Sequence, residues 1–138
     1  MEHVQVLSAT IIGIGAATYR APVRDDPFFM KNVSAQLTFA KGRTTDRNCR
    51  ITCRALFLGE GDSRMKICLF HENPHGPFEI VAQSDDREFR HSDVSIQGAP
   101  LTRELHYRLV VAAAAPSECR GKLFLKFFSD QAFVAKIL

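Results

Sequence analysis

Three of the chain's four cysteines and two of its five histidines fall between residues 49 and 75, as Cys49-x3-Cys53 and then Cys68-x2-His71-x3-His75. Thiolates and imidazoles are the ligands zinc gathers into a tetrahedron. Whether these side chains can converge depends on the backbone that carries them. Cys49, Ile51, Cys53, Ala55 and Phe57 share one parity, and Arg50, Thr52 and Arg54 share the other, which is the two-residue period of an extended strand. At roughly 3.3 Å per residue, Cys49 and Cys53 stand about 13 Å apart. Ligands about 2.3 Å from one ion must lie within roughly 4 Å of each other. No Gly, Pro or Asn between them lets the chain bend. Cys68 and His71, an odd number of residues apart, face opposite sides of their own strand. No metal is expected, and the thiols are read as small buried apolar side chains. His75, in a proline-rich turn, is expected in solvent.

Other chemical groupings dissolve on the same kind of inspection. Gly13-Ile14-Gly15 has neither the third glycine of a dinucleotide fingerprint nor a following Lys-Ser/Thr, so a bend in the first strand is the expectation. Asp25-Asp26 and Asp85-Asp86 could act as paired carboxylates, but Arg24 and Arg87 sit beside them in polar loops. No serine or cysteine occupies a nucleophile-elbow pattern. His3, His71, His75, His91 and His106 are scattered. The chain is therefore expected to have no catalytic residue, cofactor or small-molecule substrate. An enzyme whose site is assembled only by the fold is the least favoured reading.

The elements that must position these residues are strands. Val33 to Ala40 alternates Val33, Ala35, Leu37 and Phe39 with polar or small residues; Cys49 to Leu58 alternates with a basic outer face. Gly59 to Ser63 has turn composition, and Met65 to His71 resumes an apolar strand, so these two strands are expected to form a hairpin. Asn73-Pro74-His75-Gly76-Pro77 breaks regular structure. Phe78 to Ala82 is a short strand, and residues 83 to 104 read as polar loop with at most a brief edge strand at Val94 and Ile96. Leu105 to Val111 alternates and runs into four alanines that favour helix until Pro116. Lys122 to Phe128 is the most apolar strand, expected to be buried on both faces. Ala132 to Leu138 is strand or short helix. These elements predict a single domain over residues 1–138: an all-β or β-dominated antiparallel sandwich or barrel of about seven to eight strands, with room for one short helix near the C-terminal third.

A chain of 138 residues, 46% apolar and 24% charged, can bury a core without staples. Val6 to Ala17 is apolar but is preceded by Glu2 and His3 without a basic residue, so no signal peptide is expected; it is also too short and polar to span a bilayer. Residue 2 is Glu, which excludes myristoylation, and the Asn32-Val33-Ser34 sequon matters only in a secreted protein. The expected location is cytoplasmic.

Charge is more informative. Lys41, Arg43, Arg47, Arg50 and Arg54 face one acid, Asp46, within fourteen residues, and residues 79 to 93 carry the opposite bias through Glu79, Asp85, Asp86, Glu88 and Asp93. The basic stretch is the candidate site for anionic lipid or nucleic acid. Separate patches of opposite sign also permit head-to-tail self-association. Phe124, Phe127, Phe128, Phe133, Ile137 and Leu138 make the C-terminal tract more apolar than one buried face needs, and they are the candidate self-association residues.

Asp26-Pro27-Phe28-Phe29-Met30, running through VSAQLTFAKGRTTDRNCRIT, resembles the start of the folded domain in matrix proteins of nonsegmented negative-strand RNA viruses. In rhabdovirus-type members, aromatics likewise precede an alternating strand and a basic turn. The small size and single β-rich domain fit compact bornavirus-like matrix proteins. The chain carries neither a Lys-rich N-terminal tail nor a Pro-Pro-x-Tyr motif, which leaves the general small-matrix reading. The resemblance implies a non-enzymatic protein that assembles under a membrane, binds anionic lipid through a basic face and meets nucleoprotein or RNA. Lys41, Arg43, Arg47, Arg50 and Arg54 match the basic stretch by position and charge. The competing reading is an intracellular β-sandwich adaptor that binds a protein partner at its loops, with Phe78 and the NPHGP turn as the contact.

Overall fold

The structure is a computed structural model that describes residues 2–12, 34–39, 48–60, 64–72, 79–84, 87–88, 93–102, 106–114 and 120–138. Among them the backbone forms ten strands and no helix: β1 (His3–Ile12), β2 (Ser34–Phe39), β3 (Asn48–Glu60), β4 (Arg64–Glu72), β5 (Glu79–Gln83), β6 (Arg87–Glu88), β7 (Asp93–Thr102), β8 (His106–Ala114), β9 (Arg120–Ser129) and β10 (Phe133–Ile137). They assemble into two antiparallel sheets, one in the order β1-β9-β3-β7 and the other β10-β2-β8-β4-β5 with β6 also on β4. The two sheets form a β-sandwich.

The alternation that predicted the strands also fills the core. Ile51, Cys53, Ala55 and Phe57 of β3 and Leu123, Leu125 and Phe127 of β9 point inward and are buried, meeting Leu37, Ile67, Leu69 and Leu109 of the larger sheet. Gly121 of β9 lies opposite Gly59 of β3, where a methyl group would come within 2.8 Å of the Phe57 ring and closer still to β3 backbone. A glycine there lets the large core ring reach the strand pair. A smaller cluster of Cys68, Phe70 and Val110 is buried on the other face of β4 and β8.

Two side chains stitch one sheet to the other. The Tyr107 hydroxyl of β8 accepts from the Thr102 N–H of β7 at 2.9 Å. The Gln5 side-chain amide of β1 donates to the Ala135 carbonyl at 2.6 Å and accepts from its N–H at 2.8 Å. One side-chain amide thus fills the place of a neighbouring strand on β10.

Three expectations need correction, and a fourth segment, left open between strand and helix, is decided. β3 and β4 are not a hairpin: β3 pairs with β9 and β7, and β4 with β8, β5 and β6, so the chain crosses from one sheet to the other after Glu60. Residues 93–102 form a full edge strand, not a loop. Its pattern shifts phase, with Val94 and Ile96 buried on one side of Gly98 and Ala99 and Leu101 on the other. Gln97 and Gly98 together face Thr52 across a bulge, Gly98 takes φ 55°, and its N–H donates to Thr52 Oγ1 at 3.0 Å. The alanine run continues strand β8 to Ala114, because pairing with β4 outweighs its helical propensity. β10, ambiguous in sequence, is a strand bonded to β2.

Candidate functional site

The outer face of the four-stranded sheet collects residues from β1, β9 and β3 in register. Val4 stands beside Phe128 and Phe128 beside Thr52; in the next row Val6, Lys126 and Arg54 align; then Ser8, Phe124 and Leu56; then Thr10, Lys122 and Leu58. Alternation brings them out, since the intervening residues form the core. Val4, Val6 and Leu58 are 53%, 54% and 46% exposed, and Phe124 and Phe128 are half-buried. This surface interleaves cations with apolar side chains.

The four cations differ in how far they are already engaged. Arg54 is bonded to Asp93 of neighbouring β7, which holds its guanidinium even more firmly protonated than usual. Arg50 Nη1 donates to the Gly98 carbonyl at 3.0 Å, and the Arg50 N–H donates to Asp130 at 3.0 Å. Lys126 lies 4.9 Å from the centre of the Phe128 ring, a cation–π contact on one face. Neither Lys122 nor Lys126 has an acidic partner among the described residues. They are the charges left for an outside anion.

At one end of this face an open groove of about 340 Å³ is lined by Glu2, Arg50, Thr52, Phe128, Ser129 and Asp130. Both its hydroxyls are engaged: Thr52 Oγ1 accepts from the Gly98 N–H, and the buried Ser129 donates its Oγ hydrogen to the Arg50 carbonyl at 2.8 Å and accepts from the Gln131 N–H at 3.2 Å. That bonding ties the end of β9 to β3.

No protein-family model matches the chain, and no curated protein matches it. Three of the solved structures that overlap it illustrate the likeness. A Yersinia pseudotuberculosis-derived mitogen matches over 92% of this chain and 86% of its own, with a TM-score of 0.47 and 10% identity. A Bacillus endospore appendage, from a family of disulfide-linked pili, matches over 96% and 88% with a TM-score of 0.42 and 7% identity. A chain of the T13 IBDV viral particle matches over 96% of this chain but 35% of its own, with a TM-score of 0.40 and 10% identity.

Of the predicted basic residues, Arg50 and Arg54 do point outward, while Lys41, Arg43 and Arg47 lie outside the described residues. Among the predicted self-association residues, Phe127 is fully buried in the core, so no second copy can reach it. Phe133 and Ile137 are partly buried and pack against the same core. Phe124 and Phe128 lie on the outer face, and Leu138 is exposed after β10. The basic strand and the apolar tract, considered separately in sequence, thus share one surface. Lys122 and Lys126 were missed because their strand was expected to be buried on both faces; their spacing of four, equal to that of Arg50 and Arg54, was the available signal. The acidic and basic tracts are not separate either, since Arg54 and Asp93 meet within one chain.

Cys49, Cys53 and Cys68 are buried and form no disulfide. Burial drives the Cys53 thiol far above the usual thiol range and pushes Cys68 up to about 11, with the Lys66 ammonium pulling slightly the other way. His71 sits with its ring 5.8 Å from that of Tyr107. No group of three or more His, Cys, Asp or Glu able to hold a metal occurs among the described residues. Among the described residues there is no helix long and apolar enough to cross a membrane. Phe78, the NPHGP turn, Gly13, Gly15 and both Asp pairs lie outside the described residues.

Proposed function

We propose that this chain is a non-catalytic, self-associating β-sandwich that docks the outer face of its four-stranded sheet on an anionic membrane surface, a matrix-like role. The observation that carries the reading is the pair Lys122 and Lys126, without acidic partners and set among Val4, Val6, Leu58, Phe124 and Phe128. Lysines attract the negative headgroups while aliphatic side chains enter the boundary beneath them. Single-stranded nucleic acid fits this face less well. Stacking needs open aromatic faces, whereas both phenylalanines are half-buried and Lys126 lies over one of them. The resemblance of residues 26–52 to viral matrix proteins implies the same mode of action.

The test is co-sedimentation with phosphatidylcholine vesicles, with and without phosphatidylserine, at low and high salt. Binding is expected only to the anionic vesicles and is lost as salt rises. Each basic side chain near such a surface contributes about 1 kcal/mol, so Lys122→Gln with Lys126→Gln weakens partitioning about thirtyfold. Equal binding to neutral vesicles, or none to anionic ones, would overturn the reading. Tight binding of a single-stranded oligonucleotide in their place would move the face to nucleic acid.

A further inference from the structure

A sandwich has open edges, and this one treats them unequally. The β7 edge is interrupted by the bulge at Gly98 and by Pro100, which has no N–H to offer. The β10 edge is capped where Gln5 holds both backbone groups of Ala135. β5 is five residues long, with a register shift against β4 between Leu69 and Phe70. β1 is different. It keeps unbroken register with β9 over ten residues and contains no Pro, Gly, Lys, Arg, Asp or Glu. Among the described residues no strand pairs with its other edge. Its inward side chains Leu7 and Ala9 are only half-buried, whereas Leu125 and Leu123 opposite them are 1% and 0% exposed.

We infer that β1 pairs edge to edge with β1 of a second copy, antiparallel about a two-fold axis, joining two four-stranded sheets into one of eight. Several observations select a second copy as the occupant. The edge carries no Lys, Arg, Asp or Glu, so two copies meet without like-charge repulsion. Two-fold antiparallel pairing keeps equal parities on equal faces, so Val4, Val6, Ser8 and Thr10 of both copies stay on the outer surface. The contact is continuous with the Lys122 and Lys126 face and doubles it into one basic, apolar plane, which favours simultaneous engagement of a flat surface. The added strand also covers the half-exposed Leu7 and Ala9.

Pairing of one strand removes less surface than the roughly 1,600 Å² of a standard stable interface, so the dimer is weak and depends on concentration. The biological use of the dimer rests on the membrane reading above; the pairing itself does not.

Sedimentation equilibrium without lipid tests it, together with amide hydrogen exchange of the wild-type chain at low and high concentration. A monomer–dimer equilibrium is expected, with alternate amides of β1 gaining protection as concentration rises while those on the free edges of β7 and β5 do not change. Val6→Lys, which puts an ammonium on the exposed edge strand of both copies, raises the dissociation constant by about tenfold or more. A chain that stays monomeric at its highest soluble concentration overturns the inference. So does a dimer whose new protection lies on another strand; exchange on the wild-type chain reads this even if the variant fails to fold. Lys122→Gln with Lys126→Gln separates the two proposals, since it weakens vesicle binding about thirtyfold and leaves the dimer intact. Vesicle binding by a strict monomer would sink the pairing and the self-association it specifies, and leave the membrane docking standing. A dimer that ignores vesicles would sink the membrane role alone.

Discussion

The two faces of strands β3 and β9 are built from interleaved residues of the same two segments, yet they obey different rules. Inward, Ile51, Cys53, Ala55, Phe57, Leu123, Leu125 and Phe127 are buried to within 1%. Outward, Arg54, Lys122 and Lys126 alternate with Leu56, Phe124 and Phe128, and nothing described covers them. The inner face is what stability requires. Lysines without acidic partners and exposed aliphatics on the outer face contribute little to stability, which is why the proposed docking surface is placed there.

The sharpest way to break this contrast is to truncate neighbours that point in opposite directions. Phe127→Ala is expected to cost about 3–5 kcal/mol, a large part of a small domain's stability. Phe128→Ala, one residue on, is expected to cost about 1 kcal/mol or less. Urea denaturation of both variants measures the difference, and equal costs would mean the outer phenylalanine is also core.

A titration probes the interior without removing atoms. An unfolded thiol ionises near 9.0, whereas the folded Cys68 thiol ionises near 11 and Cys53 still higher. The folded state holds its thiol protons more tightly. The Cys68 contribution is therefore fully present below pH 9 and is lost as pH rises from there through about 11. The slope is about 1.4 kcal/mol per pH unit for each thiol. Urea denaturation at stepped alkaline pH tests it; a stability that stays flat from pH 9 to 11 would show that the Cys68 thiol is open.

The smallest effect belongs to the outer face. A double-mutant cycle on Arg54 and Asp93 is expected to give about 0.2–1 kcal/mol of coupling, falling with salt, because both side chains are solvated. A larger coupling would give the outer face a structural role as well.

Where the alternation is regular, the sequence showed the strands well. Ala35, Leu37 and Phe39, or Cys49 through Phe57, announced both the element and its buried side. β7 was hidden because its pattern restarts in opposite phase after Gly98, and a two-residue period cannot be followed across an inserted residue. The false hairpin had a different cause. The turn composition of residues 59–63 is the same whether a chain doubles back within a sheet or crosses to the facing one. The outer face was only half legible: Arg50 and Arg54 stood out in their strand, but Lys122 and Lys126 were masked by the leucines and phenylalanines around them. Register, which brings Val6, Lys126 and Arg54 into one row, depends on pairings between distant segments that no local pattern encodes.

The pairing of β1 also fixes when the chain can fold. His3 finds its partner at Ser129, and Gln5 then fastens to Ala135 beyond it. At roughly 5–20 residues per second, a ribosome leaves the first strand without its partner for several seconds. This apolar segment must stay solvated, or be held by a chaperone, until almost the last strand emerges. The four-stranded sheet should therefore form only after β9 has left the exit tunnel, whatever strands of the larger sheet have already paired.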